Sequence, residues 1–213
     1  MATTVKKASR KEKDKPDIKR MILDASMKLF TEEGFEKVSI RKIAEIIGYS
    51  PTTIYLHFKD KNEILFDLCE QGFIRMGMTN LELSQIHNPL LRLHKMGENY
   101  IRFGLENPEF YDLMFIQEAP IDKLKEMNNP DWKSGDMALN LLKTIIQDCM
   151  DKGFMEKADV NTVSMAIWSM VHGLVSLAIR KRFNHLVETD MVINTMNQSM
   201  NWLLNTIDTS NKK

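Results

Sequence analysis

Residues 39–58, S-I-R-K-I-A-E-I-I-G-Y-S-P-T-T-I-Y-L-H-F, restrict the fold more than any other stretch of the chain. They encode two short helices around a tight turn. Ser39 is a good N-cap, because its hydroxyl can accept from a free backbone N–H of the first turn. Ile40, Ile43, Ala44 and Ile47 follow at helical spacing and make one face apolar, while Arg41, Lys42 and Glu45 point elsewhere. Gly48 ends the helix, where a left-handed residue is needed and glycine takes that conformation without steric penalty. Ser50 caps the next helix and Pro51 takes its first position, where a missing N–H costs nothing. Ile54 and Phe58, one turn apart, return to the core.

The spacing carries more than any single residue. Ala44 is small where two helices would cross closely, Gly48 falls at the turn, and Ile54 lies on the buried side of the second helix. That is the steric pattern of a helix-turn-helix, whose second helix enters the major groove by its N-terminal end. A helical hairpin inside any all-α protein has the same spacing. The surface of the second helix separates the two readings: a core hairpin has no reason to display Thr52, Thr53, Tyr55 and His57 beside Lys59 and Lys61.

Residues 19–68 resemble, without a gap, the DNA-binding domain of TetR-type transcriptional regulators. The resemblance rests on a first helix ending L-F-T-E-E-G-F, on S-I-R-K-I-A-E-I-I-G, on S-P-T-T-I-Y-L-H-F and on K-D-K-N-E-I-L. It implies DNA contacts from Ser39, Arg41, Ser50, Pro51, Thr52, Thr53, Tyr55, His57 and Lys61. Arg41 and the start of the second helix would read bases, and Tyr55, His57 and Lys61 would hold phosphates, which position without specifying. Ser50-Pro51 leaves few long side chains there, so part of the specificity is expected from Arg41, the N-terminal arm and DNA shape.

Composition favours helix: Leu, Met, Lys, Glu and Ile dominate, with 9 glycines and 6 prolines in 213 residues. The formal net charge is zero, yet residues 1–61 carry 14 Lys+Arg against 9 Asp+Glu, and residues 62–213 carry 15 against 20. A basic front on an acidic body suits a groove binder with a separate regulatory body. Cys69 and Cys149 sit in apolar helical contexts and read as buried free thiols. No apolar run reaches the ~18–20 residues that span a bilayer, and no hydrophobic segment follows the N-terminal charges. A soluble, cytoplasmic protein without a membrane partner is the expectation.

The expected fold is all-α, in three parts. Residues 1–16 hold six basic residues and almost nothing apolar; they read as a disordered tail, a basic arm that adds phosphate or minor-groove contacts, or both. Residues 17–62 form a three-helix domain: a first helix over 16–33, then the helix-turn-helix. Residues 63–213 form a helical effector-binding and dimerisation domain. Asp60 and Glu63 make a capping box for a helix running to Met78, and its N-terminus with Lys61 reads as a phosphate site. Further helices follow over 89–106, 108–115, 131–151, 159–182 and 190–207, with a loop over 117–131 that holds a short helix at 121–127, and a frayed tail.

The helix over 159–182 contains A-I-W-S-M-V-H-G-L-V-S-L-A-I, nearly apolar all round, and must be covered on both sides. With the last helix it makes a candidate self-complementary homodimer face; a buried central helix in a monomer is the alternative. Sixteen methionines and several aromatics suggest an apolar effector pocket lined by Tyr100, Phe103, Tyr111, Met114, Met137 and Trp168, with His172 as a polar handle or a satisfied core histidine. Trp168, His172 and Gly173 resemble the W…HG motif of one TetR subgroup, and Gly173 would let a neighbouring helix approach closely.

Catalytic and metal signatures do not occur: no H-x-x-x-H, H-E-x-x-H, CxxC, Gly-rich phosphate loop or G-x-S-x-G. No cofactor, metal or catalytic residue is expected. The sequence reading is a dimeric regulator, a repressor released from a palindromic double-stranded operator by a hydrophobic or amphipathic small molecule. A sequence-tolerant DNA-binding protein without an effector, and an enzyme that carries a helix-turn-helix, are the alternatives.

Overall fold

The computed structural model describes residues 17–117 and 133–210. All regular elements there are helical. The helices are α1 (Ile18–Glu33), α2 (Ile40–Ile47), α3 (Pro51–Tyr55), α4 (Lys61–Met78), α5 (Pro89–Glu106), α6 (Pro108–Phe115), α7 (Lys133–Asp151), α8 (Val160–Ile179) and α9 (Val192–Ile207). The basic arm at 1–16, the short helix expected at 121–127 and the last three residues lie outside the described segments.

Caps set most of the boundaries. Side chains of Asp17, Ser39, Ser50, Asp60, Asn88 and Asp159 accept backbone N–H bonds at the starts of α1, α2, α3, α4, α5 and α8. Gly48, at φ +73°, ends α2 in the left-handed region. Helix α1 starts at Ile18 rather than at 16, and two later boundaries also differ from the sequence reading. The chain leaves α8 at Ile179 rather than near Arg182, because Lys181 turns left-handed at φ +56° and Phe183 folds back onto the body core. A short 3-10 turn, Thr189–Met191, precedes α9, which therefore starts at Val192 rather than Asp190.

Two principal cores are joined by a small third cluster, Phe73 and Met76 of α4 with Phe103 and Met114. The N-terminal core packs Ile22 and Phe30 of α1, Phe35 and Val38, Ile43 and Ala44 of α2, and Ile54 and Phe58 around α3. Ile64, Leu65, Leu68 and Cys69 of α4 belong to it, as does Leu113 of α6, so no packing boundary falls at residues 62/63. The body core gathers Leu93 and Ile101 of α5, Ile145 and Cys149 of α7, Val171 and Val175 of α8, and Met196 and Met200 of α9. Gly72 lets α4 and α6 touch: a Cβ there would strike the Met114 sulfur and the Phe110 ring. Both cysteines are buried and free, and burial raises their pKa values to about 12 for Cys69 and about 11 for Cys149, so both stay protonated.

Helix α8 corrects one expectation. It is long and apolar enough by composition to cross a membrane, although Ser164, Ser169, His172 and Ser176 interrupt its sequence. Ser164, Ile167, Val171 and Val175 are its buried face. The opposite face carries exposed Met165 and Leu177 and the half-exposed Gly173. Among the described residues, nothing lies within 4 Å of where a Gly173 Cβ would sit, so no described helix approaches it.

Candidate nucleic-acid interface and effector cavity

The helix-turn-helix is held by short local bonds. Ser39 Oγ accepts from Lys42 N–H at 3.2 Å, and Tyr49 N–H reaches back to Ala44 C=O at 3.0 Å. Ser50 Oγ accepts from Thr53 N–H at 3.2 Å, with the Thr53 hydroxyl 3.1 Å away. These bonds fix α3 on α2, and Ile54 and Phe58 anchor it to the core. Arg41, Thr52, Tyr55 and His57 are exposed, as are Ser39 and Ser50; Pro51 and Thr53 are half-buried. Leu56 was not among the residues singled out from sequence, yet it is 80% exposed between Tyr55 and His57. The inward positions on either side are taken by Ile54 and Phe58, as their one-turn spacing implied.

Lys61 is placed differently from the phosphate role. Its ammonium donates to Phe35 C=O at 2.7 Å and stands 4.1 Å over the Phe35 ring. The N-terminus of α4 is also occupied: Asp60 accepts from Asn62 and Glu63 N–H, and the Glu63 carboxylate accepts from Lys59 N–H. The anion site expected there is filled by the chain's own carboxylates, which the capping box itself required.

In the body, α4, α5, α6, α7, α8 and α9 line a partly open cavity of about 300 Å³. Tyr100, Met114 and Trp168 line it, together with Phe73, Met76, Met96, Phe115, Leu142 and Met200. Phe103 and Tyr111 are fully buried behind the wall rather than on it. Met137 points outward, 69% exposed; Asp136 and Ala138 on either side of it face the cavity, because a step of one residue turns a helix by about 100°. Phe73 and Met76 were not singled out from sequence, since nothing in one helix shows which apolar positions border a void.

Behind the cavity lies a neutral polar cluster. Trp168 Nε1–H donates to the Tyr100 hydroxyl at 3.2 Å, and Tyr100 donates to the Tyr111 hydroxyl at 3.3 Å. The Tyr111 hydroxyl sits 2.7 Å from His172 Nδ1, and the two rings stack with centroids 5.5 Å apart. Burial pushes the Tyr100 phenol up to about 12 and the Tyr111 phenol further in the same direction. Desolvation lowers the His172 pKa, so the imidazole is neutral at neutral pH. His172 therefore supports Tyr100 from behind.

One cavity residue reaches the N-terminal unit. Gln117 donates its amide N–H groups to Phe30 C=O in the last turn of α1, at 3.1 Å, and to the Asp112 carboxylate, at 3.0 Å. Asp112 also pairs with Arg180, just past α8, at 3.2 Å.

Residues 22–68 match the family model of bacterial regulatory proteins of the tetR family. Residues 93–200 match that of the tetracyclin repressor-like C-terminal domain. The chain belongs to the TetR family. It is a DNA-binding transcriptional regulator and not an enzyme. An HTH-type transcriptional regulator of Staphylococcus aureus is 41% identical over 141 residues, covering 62% of this TetR-family chain and 76% of that protein. An HTH-type transcriptional repressor of Mycobacterium tuberculosis is 36% identical over 117 residues, 55% of each chain. Among solved structures, the transcriptional regulator FadR from Bacillus subtilis in complex with stearoyl-CoA superposes with a TM-score of 0.68 at 17% identity. The match covers 85% of this chain and 96% of FadR, a likeness of fold.

Proposed function

We propose that this chain is a ligand-responsive repressor that binds a palindromic operator as a homodimer and leaves it when a small apolar or amphipathic molecule fills the body cavity. The observation that carries the reading is the cavity's position: it is walled by α4, whose first turns are part of the DNA-binding core. The names of two relatives, a repressor and a ligand-bound regulator, support it. Such a protein acts where bacterial DNA is, in the cytoplasm.

Ser39, Arg41, Ser50, Pro51, Thr52, Thr53, Tyr55 and His57 surround the exposed end of α3 and form the DNA face. Arg41 and Thr52 read base edges, while Tyr55 and His57 hold phosphates. Leu56 adds an apolar contact of the kind that reads a thymine methyl. Lys61 contributes by fixing the start of α4 on Phe35. Residues 1–16 supply further phosphate or minor-groove contacts. Two copies pair through the outward faces of α8 and α9, where Met165, Leu177, Ile193 and Trp202 are exposed and Gly173 leaves room for a close crossing.

A ligand that wedges α4 and α6 apart moves Gln117 and with it the Phe30 carbonyl it holds. The spacing of the two α3 helices then departs from the ~34–36 Å of one DNA turn. The ligand must favour that wide state by a few kcal/mol to empty the operator. The test is to titrate lipophilic metabolite fractions into a labelled operator complex and follow anisotropy. Release by a fraction, lost when Ala138→Trp fills the cavity mouth, supports the reading. Failure of every fraction to release the DNA contradicts it.

A further inference from the structure

Resting on the cavity as the effector site, we infer that its ligand is a hydrogen-bond donor, a lipophilic amine carried as its ammonium ion, rather than a fatty acid or another organic anion. Among the described residues, the side-chain N–H and O–H donors that line the wall are already committed. Trp168 Nε1–H is used by Tyr100, the Tyr100 O–H by Tyr111, and the Gln117 amide N–H groups by Phe30 C=O and Asp112. What these residues can still present to a guest is acceptor capacity: a lone pair on Tyr100 Oη and the Gln117 carbonyl oxygen. Asp136 adds a carboxylate in the first turn of α7, and it faces the same cavity.

The ring arrangement points to the same guest. Phe73, Tyr100, Phe115 and Trp168 all border the space. Phe73 and Phe115 meet edge to face at 5.5 Å, and Phe115 meets Trp168 at 6.1 Å and 61°. Such angled rings offer several faces to one volume, and an aromatic face attracts a desolvated cation. The methionine thioethers of Met76, Met96, Met114 and Met200 are soft and themselves only acceptors. A carboxylate in the same place would meet Tyr100 lone pairs, the Gln117 oxygen and the Asp136 charge, and each of these contacts is repulsive. The stearoyl-CoA held by the FadR of similar fold is an anion, so the two bodies share an architecture and differ in the charge they take.

The experiment compares decylamine, decanol and decanoate by calorimetry on the full-length protein at neutral pH, below the concentrations at which any of them aggregates. The three share one chain and differ in the head. Decylamine is expected to bind saturably, about tenfold or more tighter than decanoate, with decanol between them. Asp136→Asn, at an exposed position that leaves the fold alone, is expected to bring the amine close to the alcohol, and Tyr100→Phe to weaken both. Decanoate binding as tightly as decylamine, or an amine advantage that survives both substitutions, overturns the inference. If all three bind equally and Ala138→Trp abolishes them, the cavity is a ligand site of another chemistry. If none binds, or Ala138→Trp changes nothing, the cavity reading fails with it.

Discussion

His172 shows how one side chain's surroundings decide its part. It stacks on Tyr111, bonds to the Tyr111 hydroxyl and lies close to Tyr100, while desolvation disfavours its charged form. The unfolded chain therefore takes up a proton at a pH where the native chain does not. The neutral ring's contribution to stability is complete above its ordinary value of 6.5 and declines as the pH falls through the lowered native value. Thermal melting followed from pH 8 to pH 5 should show this decline, and His172→Gln should flatten that part of the curve. A native His172 titrating above 6.5 by NMR would contradict the assignment. The sequence showed that Trp168 and His172 share a helix face, and it left open whether His172 was a ligand handle or a core histidine. The choice was not legible, because Tyr111 comes from a helix 61 residues away.

At the scale of elements, the helix-turn-helix was legible almost residue by residue, because its determinants are local. Caps, a left-handed glycine and a small residue at the crossing all act within one or two turns. Gly48→Ala, at φ +73°, should destabilise the protein by about 1–2 kcal/mol in urea unfolding, since a Cβ there is strained whatever the space. An unchanged midpoint would mean that the turn is not held as described. The cavity wall was half legible: Tyr100, Met114 and Trp168 border the cavity, while Phe103 and Tyr111 lie behind its wall and Met137 faces outward. Apolar type marks what is inside a body, and the relative rotation of packed helices decides which of those residues border a void. The Gln117 link was invisible for a similar reason, as its partner Phe30 lies 87 residues away. Gln117→Met keeps the bulk and removes the bonds. It should leave effector binding within about threefold in calorimetry while weakening effector-driven operator release about tenfold. Equal release by both proteins would show that Gln117 carries no coupling.

At the scale of the molecule, operator binding depends on two copies of α3 being presented together. A single five-residue helix offers few contacts, and affinity comes from joining two of them on one rigid frame. Leu177→Glu, on the outward face of α8, should convert the protein to a monomer by analytical ultracentrifugation and weaken operator binding about a hundredfold or more. The fold of each chain should persist, because Leu177 is 46% exposed and lies outside the described body core. A dimer that survives this substitution would place the partner elsewhere. The separation of basic front and acidic body foreshadows the division of labour: in a chain of zero net charge, attraction to phosphate must come from one end. The most direct measurement is selection from a pool of random duplexes by the purified protein, followed by sequencing of the bound fraction. The bound fraction should share an inverted repeat whose half-sites are centred about one helical turn apart, lost with Arg41→Ala. A single unrepeated half-site, or no enriched sequence at all, would contradict paired binding.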